Sequence, residues 1–163
     1  MKIYCLTLGC AKNRVDSECL AGALAAAGHE LVPSAEDAEC ALVNTCGFIR
    51  PAVEESIAAI LDLEELKKDK KLQKIGVVGC LVNRYGEDLP SEVPLVDFWA
   101  RTEDWKFVLE QLKTPGDDAR RRGTLPLSSK YSRYLKISEG CGNCCTYCAI
   151  PGIRGPLRSR TIP

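Results

Sequence analysis

Three short apolar runs, KIYCLTLG, ALVNT and KIGVVG, each lead directly into a cysteine: Cys10, Cys46 and Cys80. Glycine adjoins every one of them, as Gly9, Gly47 and Gly79. The cysteines lie 36 and 34 residues apart, a span that holds one strand and one helix. The segments between them read as helices. DSECLAGALAAA (Asp16–Ala27) is rich in alanine and leucine and stops at Gly28, and Pro51 opens a second helix that runs to about Lys68. Its apolar face carries Val53, Ile57, Ile60, Leu61 and Leu66. Strands are expected at Lys2–Leu8, Ala41–Thr45 and Lys74–Gly79, and a third helix at Glu103–Leu112 with Trp105 and Leu109 on one side. Such alternation predicts an α/β fold, a mostly parallel open sheet with helices on both faces.

The apolar content, 45%, suffices for a core of this kind. No apolar run nears the roughly 18 residues that a membrane-spanning helix needs. MKIYCLTLGC runs into Lys12, Asn13 and Arg14 without a cleavage site, so it reads as a first strand rather than an export signal. That points to the reducing cytoplasm, where ten cysteines imply metal ligation or catalysis rather than disulfides.

The first domain is placed at residues 1–113 and a linker at 114–130, where TPGDDARRR breaks the pattern. A second domain begins at 131–163, with strands expected at Leu125–Leu127 in the approach to it and at Tyr134–Ser138. GPLRSRTIP contains no terminating fold, so this domain is expected to be cut short and the chain to be an N-terminal piece of something longer. Charge divides along the same line: net −8 over residues 1–118 and net +8 over 119–163. The basic part reads either as solvated surface or as a face for an anionic substrate, cofactor or RNA.

In an open α/β sheet the loops after the strands share the carboxyl edge, where ligands bind. Cys10, Cys46 and Cys80 are therefore expected to converge although they are distant in sequence. Three thiolates without a nearby histidine suit an iron–sulfur cluster with one iron left open. A zinc site lacking a fourth protein ligand and a set of small buried hydrophobes are the alternatives. Cys5, Cys19 and Cys40 lack the glycine context and read as structural.

GCGNCCTYCAIPG (Gly140–Gly152) holds four more cysteines. Cys141, Cys145 and Cys148 give C-x3-C-x2-C on one loop after a strand, again three thiolates for a cluster with an open iron; Cys144 offers a second spacing. A ferredoxin arrangement would need a fourth cysteine, and a zinc knuckle a histidine closer than His29, which reads as a helix-terminal residue. S-adenosylmethionine is able to chelate such an open iron, and the preceding strand fits the first strand of a (β/α) barrel. Arg154 and Arg158–Arg160 are placed either against S-adenosylmethionine or substrate, or in a solvated loop.

TLGCAKNRVDSE (Thr7–Glu18), NTCGFI (Asn44–Ile49), VVGCLVNRYG (Val77–Gly86) and ISEGCGNCCTYCAIPGIRGPLRSR (Ile137–Arg160) resemble the successive signatures of the radical-SAM methylthiotransferases, over nearly the whole chain. The resemblance implies two [4Fe-4S] clusters, an auxiliary one on Cys10, Cys46 and Cys80 and a radical-SAM one on Cys141, Cys145 and Cys148. It further implies an N-terminal domain followed by the start of a radical-SAM barrel, S-adenosylmethionine as cosubstrate, and an electron donor such as flavodoxin or ferredoxin. CAKNRVDSE, NTCGFI and EESI (Glu54–Ile57) are similar to the branch that inserts a methylthio group at the β-carbon of an aspartate in a small-subunit ribosomal protein. The tRNA-modifying branch and a non-catalytic iron–sulfur or zinc protein are the alternatives. In the family the barrel cluster generates the hydrogen-abstracting radical and the auxiliary cluster supplies sulfur. Lys12, Asn13 and Arg14 either line the auxiliary site or form an ordinary first helical turn.

Overall fold

In the computed structural model, residues 1–114 and 131–161 are described. The chain runs β1 (Lys2–Thr7), α1 (Ala11–Ala26), β2 (Glu30–Val32), a single 3-10 turn (Ala35–Asp37), β3 (Cys40–Thr45), α2 (Arg50–Lys68) and β4 (Lys74–Gly79). It continues with α3 (Cys80–Tyr85), α4 (Leu89–Glu92), β5 (Phe98–Ala100) and α5 (Trp105–Gln111), and beyond residue 130 with β6 (Ser138–Glu139), α6 (Ile150–Arg154) and β7 (Arg158–Ser159).

β1 to β5 form one parallel sheet in the order β2-β1-β3-β4-β5. The expected mostly parallel α/β fold is what the chain adopts. β3 lies near the centre and every one of its residues is buried. The period-2 alternation of a strand sends its side chains to opposite layers. Cys40 and Leu42 join Ile3, Val78 and Phe98 under α1 and α5. Ala41 and Val43 join Ile75 and Val77 under α2 and α3. A parallel sheet covered on both faces has to read as near-continuous apolar runs, and these do.

α1 starts at Ala11 rather than Asp16, because Cys10 itself is the cap residue and AKNR contains no helix breaker. β2 and β5 span three residues each, too short for a period to show. On α2, Leu61 is 44% exposed, while Ile60 and Leu63 face the sheet with Val53, Ile57 and Leu66 beside them. Trp105 and Leu109 are both buried on α5, as their spacing implies. His29 closes the end of α1, its N–H donating to the carbonyl of Leu24.

Beyond residue 130, the expected strand Tyr134–Ser138 is reduced to a two-residue antiparallel pairing of Ser138 with Ser159 and Glu139 with Arg158. Tyr134, Leu135 and Ile137 stay exposed, since among the described residues no other strand lies alongside them. The expected strand Leu125–Leu127 and all but Thr114 of the expected linker lie outside the described residues. Among the described residues no helix is long and apolar enough to cross a membrane.

Candidate metal centre

The order β2-β1-β3-β4-β5 reverses direction between β1 and β3, and the crevice outside the carboxyl ends there is where doubly wound sheets take ligands. Cys10 follows β1, Cys46 follows β3 and Cys80 follows β4, three adjacent strands about 4.8 Å apart. The register puts the three ends level: Thr7 lies opposite Asn44, and Thr45 opposite Gly79. Cys46 and Cys80 are the next residues along those two strands. Cys10 is exposed at the start of α1, Cys46 is half-buried, and Cys80 is buried as the first residue of α3.

Gly9 has φ +89°, and a Cβ there would stand 2.8 Å from Cys46 Cβ and 3.2 Å from its Sγ. A Cβ on Gly47 would stand 2.6 Å from the carbonyl oxygen of Cys80. Real side chains never come so close, so each glycine lets one cysteine loop lie directly on the next. The Cys10 loop therefore rests on Cys46, and the Cys46 loop on Cys80.

Asn13, wholly buried in the first turn of α1, stitches the loops together. Its Nδ2 donates to the carbonyls of Leu8 (2.8 Å) and Thr45 (2.9 Å). Its Oδ1 accepts from the Cys80 thiol at 3.7 Å. Asn44 Nδ2 returns the contact to the Asn13 carbonyl at 2.9 Å and to Ser17 Oγ at 3.0 Å. Buried Ser56, from the EESI stretch on α2, accepts from the Cys46 N–H at 3.1 Å and donates to the carbonyls of Cys46 and Ala52. Arg84 NH1 donates to the carbonyls of Gly47 and Phe48. Asn13 thus lies at the site and in the first helical turn at once, whereas Arg14 points to solvent.

Arg154 corrects the expectation for the basic segment. It faces neither solvent nor an open loop; its side chain is 2% exposed and reaches the first cysteine site from α6. Nε donates to Cys80 Sγ at 3.0 Å, NH1 bridges Asp16 and Glu139 at 3.1 Å each, and NH2 donates to Asn13 Oδ1. Lys136 adds a second cation, 2.5 Å from Asp16 Oδ1 and bonded also to Glu139. The outcome is a buried set of two cations and two carboxylates joining residues 136–158 to α1. Arg158 pairs at the surface with Glu103. Lys136, Arg154 and Arg158 of the basic segment are therefore matched by acids of this same chain.

The electrostatics follow from this packing. Burial pushes the Cys80 thiol up, the charge and hydrogen bond of Arg154 pull it back, and the neighbouring thiols of Cys46 and Cys10 raise it again. Glu139 experiences burial too, but its bond to Lys136 and the charge of Arg154 prevail and hold it at about 2. Burial alone lifts Cys5 to about 12, and it dominates at Cys40, also at about 12, so both are neutral thiols of the core.

The second cysteine loop is shaped by a turn. The Cys148 N–H donates to the Cys145 carbonyl at 3.1 Å, which folds Cys145–Cys148 on itself and brings the two residues together. The Cys141 N–H donates to the Gly155 carbonyl at 3.2 Å. Cys144 and Cys145 are exposed, Cys141 and Cys148 half-buried.

As the side chains stand, the described residues include no group of three or more His, Cys, Asp or Glu that could hold a metal ion. The backbone of the first site nevertheless suits a multi-iron cluster, whose thiolates stand farther apart than those around a single ion. Its donors are soft thiols alone, two glycines let the three cysteine loops pack directly on one another, and Arg154 already donates to one sulfur. A network built from Asn13, Asp16, Ser56, Lys136, Glu139 and Arg154 was not expected from the sequence. Asn13 and Arg154 stand within quoted motifs, but nothing in their spacing says that they meet.

Fold and site together define a doubly wound α/β domain that gathers three thiols at the carboxyl edge of its sheet and is tied by buried charges to a second cysteine loop. The family model described as Uncharacterized protein family UPF0004 matches residues 2–101, and the chain belongs to that family. Among curated proteins it is similar to the ribosomal protein uS12 methylthiotransferase RimO of Aquifex aeolicus, with 48% identity over 162 residues, 99% of this chain and 36% of the relative. It is also similar to the proteins of that name from Syntrophomonas wolfei (45% identity, 99% of this chain, 40% of the relative) and Trichlorobacter lovleyi (43%, 99%, 39%). The chain thus spans less than half the length of these relatives.

Proposed function

We propose that this chain supplies the cluster-bearing N-terminal domain and the first radical-SAM segment of a methylthiotransferase that modifies ribosomal protein uS12. The convergence of Cys10, Cys46 and Cys80 on one sheet edge carries the reading, because three soft donors and no fourth are what a cluster with an open iron needs. Similarity over 99% of this chain to proteins named for that activity supports it. Residues 1–113 form the auxiliary domain, 114–130 the linker and 131–163 the beginning of the barrel. Cys141, Cys145 and Cys148 hold the second [4Fe-4S] cluster.

When bound, the clusters supply one-electron chemistry with S-adenosylmethionine and an open iron for an exogenous sulfur. The chain's own part is to hold and orient. Asn13, Ser56 and Arg84 fix the backbone of the Cys10 and Cys46 loops, Arg154 fixes the Cys80 sulfur, and the Cys145–Cys148 turn presents the second trio. The substrate is the β-carbon of an aspartate; a tRNA adenosine is the second reading, favoured by the exposed basic residues Arg133 and Arg160 among the described residues. A flavodoxin or ferredoxin supplies electrons, and the protein acts in the cytoplasm.

Anaerobic reconstitution with iron and sulfide tests the reading. Two clusters correspond to about eight irons per chain. Replacing Cys10, Cys46 and Cys80 together with alanine should remove about half, and replacing Cys141, Cys145 and Cys148 the other half. One tightly bound zinc and no visible absorbance would overturn it.

A further inference from the structure

Arg154 stands apart from every other cation in the described residues. It is carried by the segment that follows the second cysteine loop, yet its guanidinium ends on a sulfur of the first. Its position is fixed from both sides. Asn83 Nδ2, on α3 beside Cys80, donates to the carbonyl of Ile153 at 2.5 Å. On the other side, the Gly155 carbonyl accepts from the Cys141 N–H. One short path therefore joins the two sites: the Cys141 amide to Gly155, Gly155 to Arg154 along the chain, and Arg154 Nε–H to Cys80 Sγ.

Structural need alone does not explain this arrangement. Asp16 and Glu139 already share Lys136, and an arginine could satisfy two carboxylates without spending Nε on a thiol. The fork is divided instead: NH1 serves the carboxylates, NH2 serves Asn13, and Nε serves the sulfur. The site is buried, so the charge is weakly screened. Hydrogen bonds to ligand sulfurs and nearby positive charge stabilise the more negative, reduced form of a cluster.

We propose that Arg154 is a positioning residue which sets the reduction potential of the group held by Cys10, Cys46 and Cys80, and that the second cysteine segment delivers it there. The proposal rests on the cluster reading given above. Removing the Nε–H and its charge makes the first cluster harder to reduce. No atom is transferred; the effect is electrostatic and falls on the one-electron couple of the cluster itself.

The test uses the full chain with Cys141, Cys145 and Cys148 replaced by alanine, so that only the first cluster is present, and follows its visible absorbance through an anaerobic redox titration. Arg154→Gln should shift the reduction equilibrium towards the oxidised form by about tenfold, which is about 59 mV more negative for a one-electron couple. Arg154→Lys, which keeps the charge but not the fork, should fall between. Because Arg154→Gln unbalances the buried charges, Arg154→Gln with Asp16→Asn restores the balance. This pair should keep a negative shift, smaller than that of Arg154→Gln alone because the net charge is restored while the Nε–H stays absent, at undiminished iron content. Equal potentials in all four proteins would overturn the proposal while leaving the cluster reading intact. Loss of the cluster from both Gln variants but not from the parent would overturn it too, by making Arg154 a requirement for assembly. Absence of a cluster from the parent would remove the cluster reading and the proposal together.

Discussion

At Cys40 a thiol is wholly buried between Ile3 and Lys74 in the sheet register, and burial holds its proton to about pH 12 instead of the usual 9. A raised value favours the neutral folded form. This contribution is therefore fully present below pH 9 and is lost as pH rises towards 12, where only the unfolded chain ionises. Stability should fall by about 1.4 kcal/mol per pH unit from this thiol. Anaerobic urea denaturation at pH 8 and pH 10 checks it, and the slope should flatten in Cys40→Ala. A different physics governs Gly9, where φ is +89° and a Cβ meets Cys46 Cβ at 2.8 Å. Gly9→Ala should cost on the order of 1–3 kcal/mol and push Cys46 from its place. Thermal melts together with iron content after reconstitution would show both effects, and an unchanged iron content would count against the packing of these two loops.

Elements matter here chiefly through their ends. α2 contributes Ile60 and Leu63 to one core layer, but its link to the site is the hydroxyl of Ser56, which takes the Cys46 N–H and gives to the Cys46 carbonyl. Ser56→Ala leaves a part-buried N–H without its partner, at a cost of about 1–3 kcal/mol. The Cys46 amide should then exchange faster with solvent than the amides of β3, which hydrogen-exchange measurements resolve. Asn13 binds three loops from one turn of α1, so Asn13→Ala removes two donors and one acceptor at once. The expected loss is roughly 2–4 kcal/mol, larger than that of Ser56→Ala, and denaturant titration ranks the two.

Across the molecule, the buried set of Lys136, Asp16, Glu139 and Arg154 joins residues 136–158 to the sheet domain. Removing one partner leaves buried charge uncompensated, so Arg154→Ala should destabilise by about 3–5 kcal/mol, with little dependence on salt. The surface pair Arg158–Glu103 is more than a third exposed on both sides, and Arg158→Ala should change stability by about 0–1 kcal/mol. Comparing the two variants by urea denaturation at low and high salt separates a structural junction from an ordinary surface contact.

Much of this protein is written locally. Apolar runs of five to eight residues leading into a cysteine with glycine beside it dictate strands with turns behind them, and strands separated by helices dictate a parallel sheet. From that topology alone the convergence of Cys10, Cys46 and Cys80 follows, because every such turn has to lie on the same edge. The three-residue strands β2 and β5 were not legible, since three residues carry only one and a half alternations and the strands form only against β1 and β4. Neither was Arg154 at Cys80. A charge 74 residues away along the chain finds a sulfur only through packing, and the low dielectric of a buried contact, not any local pattern, decides which acids and which thiol it serves.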